Sequence, residues 1–271
     1  MNRKIWMFFA TMFIWVSVAG QSKRDTAKII KEIEDVLSFS RKPVISYETE
    51  TRINAVPAIG EEDVLTMNGK FVKNGRQLYY RSGDDEILIV DSIMLQISHK
   101  RKSIWILKLN QKQQEDFING LPAQKQMPDV FGKNFIVQKE VSDDKQASVS
   151  FYSKNYGETG NSTKTTIEYD VKQMLPQAFR MEISMKEEAD EELLAALSAE
   201  GIDVSRLVVK EDGKSMLTRK QFVNITLKNW SLDEEKPQAI PSPYDYVVAG
   251  FETGEPVGKG LYADYEVRRL F

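Results

Sequence analysis

Residues 69–81 have the sequence GKFVKNGRQLYYR, and this stretch decides the fold class. Two strand-like runs flank the pair Asn74-Gly75 within it. Asn-Gly between such runs is the strongest short-range signal for a β-hairpin, because both residue types tolerate the positive φ that a tight turn requires. A connection this short can join only antiparallel neighbours. We therefore predict an antiparallel meander that is centred on this hairpin.

Strand-like runs continue on both sides of the hairpin. Residues 45–53 alternate between polar side chains and apolar, aromatic or threonine side chains, which is the period of a strand with one covered face. Further strands are predicted at residues 64–72, 77–81, 87–90, 94–98, 103–107, 135–141, 147–152, 164–169, 180–185 and 221–230. Many short antiparallel strands with few helices predict a mainly β protein with some α-helix: one large curved antiparallel sheet, a half-barrel, with helices packed on its concave face.

Three segments have helical rather than strand-like patterns. In residues 25–37 the apolar side chains recur at three- and four-residue spacing, which predicts an amphipathic helix. Residues 110–119 are polar and predicted to be helical, and a helical insertion is predicted near residues 186–205. The Pro- and Gly-rich residues 235–271 are predicted to form a C-terminal extension of a half-barrel domain that spans residues 21–234.

The first twenty residues have the layout of a secretory signal peptide. Basic Arg3 and Lys4 precede an apolar run over residues 5–18, and the small residues Ala19 and Gly20 follow. The run is shorter than the roughly 20 apolar residues that span a bilayer as a helix, which disfavours the alternative of a membrane anchor. We expect cleavage after residue 19 or 20 and a soluble protein in the periplasm.

Composition argues against several functional classes. The chain has no cysteine and a single histidine, His99, so it lacks the ligands of a thiolate or paired-imidazole metal site and the nucleophile of a thiol enzyme. We find neither a Gly-x-Ser-x-Gly elbow nor a phosphate-binding glycine loop. The net charge of −3 disfavours a nucleic-acid partner. We therefore predict no catalytic residue, no metal, no cofactor and no enzymatic activity.

The order of these elements resembles a known family. The stretches that carry the resemblance are residues 69–81, the strand pair 86–90 and 94–98, LPQAFRMEI at 175–183, and FVNITLKNWSL at 222–232. Together they look like the LolA/LolB superfamily of periplasmic lipoprotein carriers and localisation factors, a half-barrel covered by helices. The resemblance implies that the partner is a lipid or the acyl chains of a lipoprotein. In the carriers an early-strand arginine is linked to closing the helical lid, which makes Arg76 or Arg81 a candidate for lid contact.

Aromatic and methionine side chains on the predicted strands are the candidate ligand-binding residues. Flexible thioethers and rings adapt to irregular apolar partners such as an acyl chain. The candidates for lining a hydrophobic cavity are Met67, Phe71, Tyr79, Met94, Trp105, Phe135, Phe151 and Met181. The same residues would equally fill an ordinary core, as in an interaction or scaffold subunit of a cell-envelope assembly that binds an envelope protein partner. The two hypotheses differ in whether the covered face of the sheet is empty or filled.

Overall fold

The structure is a computed structural model that describes residues 23–118, 135–141, 144–154, 156, 162–248 and 255–270. The predicted signal peptide, residues 1–20, lies outside the described residues. Within the described ranges, no helix is long and apolar enough to cross a membrane.

Strands dominate the described residues. The helices are α1 Lys23–Leu37, α2 Gln111–Ile118 and α3 Glu191–Ala199. The strands are β1 Val44–Val56, β2 Val64–Asn74, β3 Gln77–Ser82, β4 Asp85–Val90, β5 Ile93–Ser98, β6 Ser103–Lys108, β7 Phe135–Val141, β8 Gln146–Ser153, β9 Ser162–Asp170, β10 Leu175–Glu188, β11 Val208–Glu211, β12 Lys214–Ser231 and β13 Glu266–Arg269.

These strands form one sheet in the order β13-β6-β5-β4-β3-β2-β1-β12-β10-β9-β8-β7, with β11 paired to β12. The meander from β2 to β6 is antiparallel, as are the pairs from β7 to β10 and β10 with β12. The predicted fold class is therefore confirmed: the protein is mainly β, and its antiparallel sheet is open, as in a half-barrel. β13 differs from these antiparallel pairs because it pairs parallel with β6, which the long connection between them permits.

The hairpin that decided the fold has its turn one residue later than predicted. Asn74 still pairs with Gln77, so the two turn residues are Gly75 and Arg76. Gly75 has a φ of +59°, a conformation that costs glycine nothing. As a result, Arg76 lies in the turn, and its side chain extends from the hairpin end rather than from a sheet face.

By the density of its contacts the chain divides into two units. The first contains Met1–Leu37, Thr51–Thr66 and Ala123–Thr226. The second contains Ser38–Glu50, Met67–Pro122 and Leu227–Phe271.

In the first unit, α1 covers one face of β7, β8 and β9. Its buried side chains Ile29, Ile30, Ile33 and Val36 pack on Val137, Ala147, Val149, Phe151, Ile167 and Tyr169. This is the apolar stripe that the helical spacing predicted for residues 25–37. Each fully buried side chain of this size is worth roughly 1.5–3 kcal/mol, so α1 is firmly attached.

A polar contact also ties α1 to the strands below it. Lys139 Nζ donates to both carboxylate oxygens of Glu32, at 2.6 and 2.7 Å, and the Tyr169 hydroxyl donates to Glu32 Oε1 at 2.6 Å. Burial opposes the charge on Glu32, but the hydrogen bonds from Lys139 and Tyr169 outweigh it and lower the pKa of the carboxyl below its usual value.

The helical insertion is shorter than the predicted range 186–205. Residues as far as Glu188 belong to β10, and the helix itself is α3. Asp190 caps it by accepting a hydrogen bond from the Leu193 amide at 2.8 Å. Leu197 of α3 packs on Leu217 of β12 in a small cluster of its own.

In the second unit, both faces of β3–β6 are covered. The strand register assigns side chains to the faces alternately. One face carries Leu88, Leu95, Ile97, Ile104 and Ile106. It is covered by described residues of the C-terminal extension that was predicted to begin at residue 235, which we call the C-terminal segment. The side chains that this segment contributes are Ile240, Tyr246, Val247, Tyr262, Tyr265 and Val267. The opposite face is covered by α2.

A buried carboxylate joins the C-terminal segment to the sheet. Glu86 is 3% exposed. Its Oε2 accepts from the Tyr246 hydroxyl at 2.9 Å, and its Oε1 lies 2.7 Å from His99 Nε2. His99 Nδ1 lies 2.9 Å from the Tyr265 hydroxyl. Burial and the nearby Glu86 charge both raise the pKa of Tyr246, so its phenol remains a donor.

We expect the Glu32→Gln variant to lose less unfolding free energy than the wild type when the pH is lowered from neutral to acidic. A carboxyl whose pKa is lowered by folding stabilises the fold above its unfolded pKa, near 4.5, and this contribution is lost as the pH falls through the folded pKa. Urea-unfolding midpoints at about pH 7 and about pH 3.5 should therefore differ less in Glu32→Gln than in the wild type. Glu34→Gln, on the same helix, is the control and should retain the wild-type difference. Equal pH dependence in all three proteins would contradict the assigned role of Glu32.

We expect Tyr246→Phe to destabilise the second unit by about 1–3 kcal/mol, because it leaves a buried carboxylate oxygen without its donor. The matched control is Tyr244→Phe. Tyr244 is 62% exposed, whereas Tyr246 is 4% exposed, so the control should change stability by less than about 0.5 kcal/mol. Urea unfolding measures both free energies. Equal effects of the two variants would show that the bond to Glu86 does not hold the segment.

Candidate functional site

The face of the second unit that α2 covers carries a row of side chains that crosses four strand pairs. The paired residues are, in order, Phe71, Tyr80, Ile87, Gln96 and Trp105. Side chains directly opposite each other in antiparallel strands lie on the same face and touch. Large rings therefore occupy both ends of the row, and a smaller polar side chain interrupts it only at Gln96.

Beyond Phe71 the row continues into a group of four rings, which we call the aromatic cluster: Phe39, Tyr47, Phe71 and Trp230. Tyr47 stacks on Phe71 with 4.9 Å between ring centroids and an angle of 12°. Trp230 lies 4.5 Å from Tyr47 and 5.2 Å from Phe39. Four rings that are joined through Tyr47 form an apolar surface at the end of the row.

Burial is the main cause of the pKa shifts around the aromatic cluster. The pKa of Tyr47 is raised, first by burial and second by the neighbouring Tyr80. The pKa of Tyr80 is also raised, mainly by burial. Lys73 is 2% exposed, and its Nζ donates to the Ser40 carbonyl at 2.9 Å. Burial lowers the pKa of this lysine, as expected for a charge that is removed from water.

Helix α2 packs beside the aromatic cluster through few apolar contacts. Its only buried residues are Gln114 and Ile118. Ile118 packs with Leu78, Ile87, Ile89, Met94 and Leu109, and the partly buried Phe71, Tyr80 and Leu107 border this group. The strands thus present a broad apolar face, while the helix above them supplies one apolar side chain.

Polar contacts to two turns hold α2 in place. The Gln114 side-chain amide donates to the Arg76 carbonyl at 3.1 Å and also to the Asp91 carbonyl. Arg76 forms an ion pair with Glu115 at 3.2 Å, in which the side chains are 65% and 49% exposed. Exposed pairs of this kind contribute about 0–1 kcal/mol. Arg76 therefore contacts a covering helix, whereas Arg81 lies 3.8 Å from Glu86 on the opposite face.

The candidate residues from the sequence fall into separate places. Phe71 and Met94 pack in the group under α2, and the register puts Met67 and Trp105 on the same face. Tyr79 lies on the reverse face and packs against the C-terminal segment. Phe135 and Phe151 belong to the first unit and pack under α1. Met181 is buried there and pairs with Val223.

Sequence reasoning missed Phe39, Tyr47, Tyr80 and Trp230. Tyr79 and Tyr80 are adjacent, so alternation alone says that they face opposite ways but not which one lies under the helix. For Tyr47 the signal was available, because residues 45–53 alternate. Trp230 and Phe39 meet only because β1 and β12 are neighbours in the sheet, an order that the sequence pattern does not contain.

A shallow pocket of about 200 Å³ lies on the first unit, lined by Ile136, Gln138, Tyr152, Ser153, Lys154 and Tyr156. Lys164 Nζ lies 5.0 Å from the centre of the Tyr152 ring, and the Tyr156 hydroxyl donates to Glu182 at 2.9 Å. The pocket is small and its lining is mainly apolar, with few polar groups, whereas the face under α2 extends over several strands.

Comparison with known proteins finds solved structures that are similar to this chain, but no match of any other kind. No family model matches the chain, and no curated protein matches it. A DUF1329 family protein from Desulfovibrio piger has 14% identity and a TM-score of 0.28, with 74% of this chain and 92% of that chain covered. The LolA superfamily protein NE2245 from Nitrosomonas europaea has 10% identity and a TM-score of 0.27, with 79% of this chain and 94% of that chain covered.

Proposed function

We propose that the chain is a non-enzymatic, exported protein of the periplasm that shelters an acyl chain of a lipid or lipoprotein. The observation that carries the proposal is the apolar face under α2, which continues without a break into the aromatic cluster. The binding residues would be Phe71, Met94 and the four further rings Phe39, Tyr47, Tyr80 and Trp230. Periplasmic location follows from the signal peptide that the sequence predicts.

Burial alone would supply the binding energy. Each methylene that leaves water contributes about 0.8 kcal/mol, so six buried methylenes contribute about 5 kcal/mol. An acyl chain binds best to a long apolar surface with few polar groups. The row from Phe71 to Ile87, together with its extension to Trp230, is a surface of this kind.

The weak attachment of α2 would let the ligand enter. An eight-residue helix is marginal by itself in water, so its stability depends on what it packs against. Here that support is one buried isoleucine, the hydrogen bonds of Gln114 and the exposed Arg76–Glu115 pair. An acyl chain that displaced Ile118 from the apolar face would replace the lost apolar contacts. Arg76 would then act as the residue that holds the cover closed.

The contacts of Glu86 and His99 favour a binding protein over an enzyme. An acid–base pair needs a free position toward a substrate. Here both ring nitrogens of His99 and both oxygens of Glu86 already have partners, and two of these partners are tyrosines of the C-terminal segment. The pair thus serves to fasten the fold.

A second candidate function is an interaction subunit of a cell-envelope assembly with a filled core. The observation that favours it is a group of exposed apolar side chains on the C-terminal segment. Tyr244, Val248 and Val257 are each more than half exposed, and Leu261 is 90% exposed. Large exposed apolar groups on one segment are typical of a surface that binds another protein.

Native mass spectrometry separates the two functions. We expect the protein, purified without detergent from its own compartment, to carry a lipid or lipopeptide of defined mass that organic solvent releases. A clean apo mass, together with no uptake of added fatty acid or lipopeptide, would contradict the acyl-chain function. Co-purification of a stoichiometric protein without lipid would support the assembly subunit.

We expect Phe71→Ala to weaken binding of a fluorescent long-chain fatty acid about tenfold, because it removes the central ring of the proposed site. Phe135→Ala is the matched control. Phe135 is also partly buried, but it packs under α1 in the first unit, so affinity should be unchanged. Titration of the fluorescent probe measures both. The reverse result would place the ligand in the first unit instead.

A further inference from the structure

Trp230 carries a buried indole N–H that lacks an acceptor. Its Nε1 is inaccessible to solvent, and among the described residues it has no hydrogen-bond partner. An indole nitrogen can only donate, so no rotation of the group converts it to an acceptor. Buried donors without partners are rare in native proteins and ask for an explanation.

The ring contacts of Trp230 among the described residues are themselves aromatic. They are Phe39 at 5.2 Å and Tyr47 at 4.5 Å, and Tyr47 in turn stacks on Phe71. Aromatic faces are poor acceptors compared with a carbonyl oxygen. The unpaired indole N–H therefore lies within the aromatic cluster.

We propose that Trp230 Nε1 donates a hydrogen bond to the carbonyl oxygen of an ester- or amide-linked acyl group, and that the protein thereby prefers acylated ligands to plain alkyl chains. This inference rests on the function proposed above and adds the chemical class of the ligand. A carbonyl joins directly to the methylenes that the rings would cover, so one ligand would satisfy both the donor and the apolar row.

A neutral carbonyl fits this position better than a free carboxylate. A carboxylate beside several rings would be costly to bury without a cation and further donors. The nearby buried cation, Lys73, already donates to the Ser40 carbonyl at 2.9 Å. An ester or amide oxygen needs only the single donor that Trp230 offers.

The test compares two ligands that differ in the carbonyl alone: 1-monolauroyl-glycerol, an ester, and 1-O-dodecyl-glycerol, its ether. Isothermal titration below the micelle concentration gives both affinities. We expect the wild type to prefer the ester by about five- to tenfold, the usual worth of one net hydrogen bond. Trp230→Phe retains a ring and removes the N–H, so it should abolish the preference by lowering the affinity for the ester to that for the ether. Trp105→Phe, at the other end of the row, should keep the preference.

Each other outcome is decisive. Equal, measurable affinity of the wild type for ester and ether would overturn the carbonyl contact and leave the acyl-chain function standing. A preference that survives Trp230→Phe would overturn it as well. Binding of neither ligand would overturn both proposals.

A second measurement is made on the wild type itself. In its ¹⁵N–¹H spectrum the Trp230 indole signal, identified as the one that Trp230→Phe lacks, should move on addition of the ester and stay in place with the ether. An indole signal that responds equally to both ligands would count against the proposal.

Discussion

The register of β3 against its two neighbours is the constraint on which the second unit depends. Gly75 and Arg76 form a two-residue turn, so Asn74 must pair with Gln77 and Phe71 with Tyr80. Because side chains alternate along a strand, a slip of one residue would move Tyr80 away from the helix and Tyr79 toward it. The aromatic row, the apolar face under α2 and the burial of Glu86 on the reverse face all follow from this single pairing.

Helices α1 and α2 differ in the contacts that hold them on the strands. Helix α1 buries four aliphatic side chains and adds the contacts of Glu32, whereas α2 buries one aliphatic side chain and depends on polar contacts to two turns. Local opening is least costly where few apolar contacts are lost. Opening α1 from its strands is therefore expected to cost more free energy than opening α2 from its strands.

Much of the fold could be predicted from local patterns, because hairpins and amphipathic helices are local. The meander, α1 and the polar helix after β6 were predicted from turn chemistry and periodicity. The candidate site was harder to predict, since Tyr47 meets Phe71 and Trp230 across strands that are distant in sequence. The same is true of Glu86, whose partner Tyr246 is 160 residues away. A lone histidine beside a basic turn gave no sign that it would lie between Glu86 and Tyr265.

The parallel pairing of β13 with β6 has a consequence for how the chain folds. Strands β3–β6 pair through short turns and can assemble early, because little chain entropy is lost in closing such loops. Their reverse face, with Leu88, Leu95 and Ile97, stays uncovered until Ile240, Tyr246 and Val267 arrive from the far end of the chain. During that interval the nascent protein exposes an apolar sheet face with an unpaired β6 edge. Such a surface invites aggregation, so the final thirty or so residues set the period during which the chain needs protection.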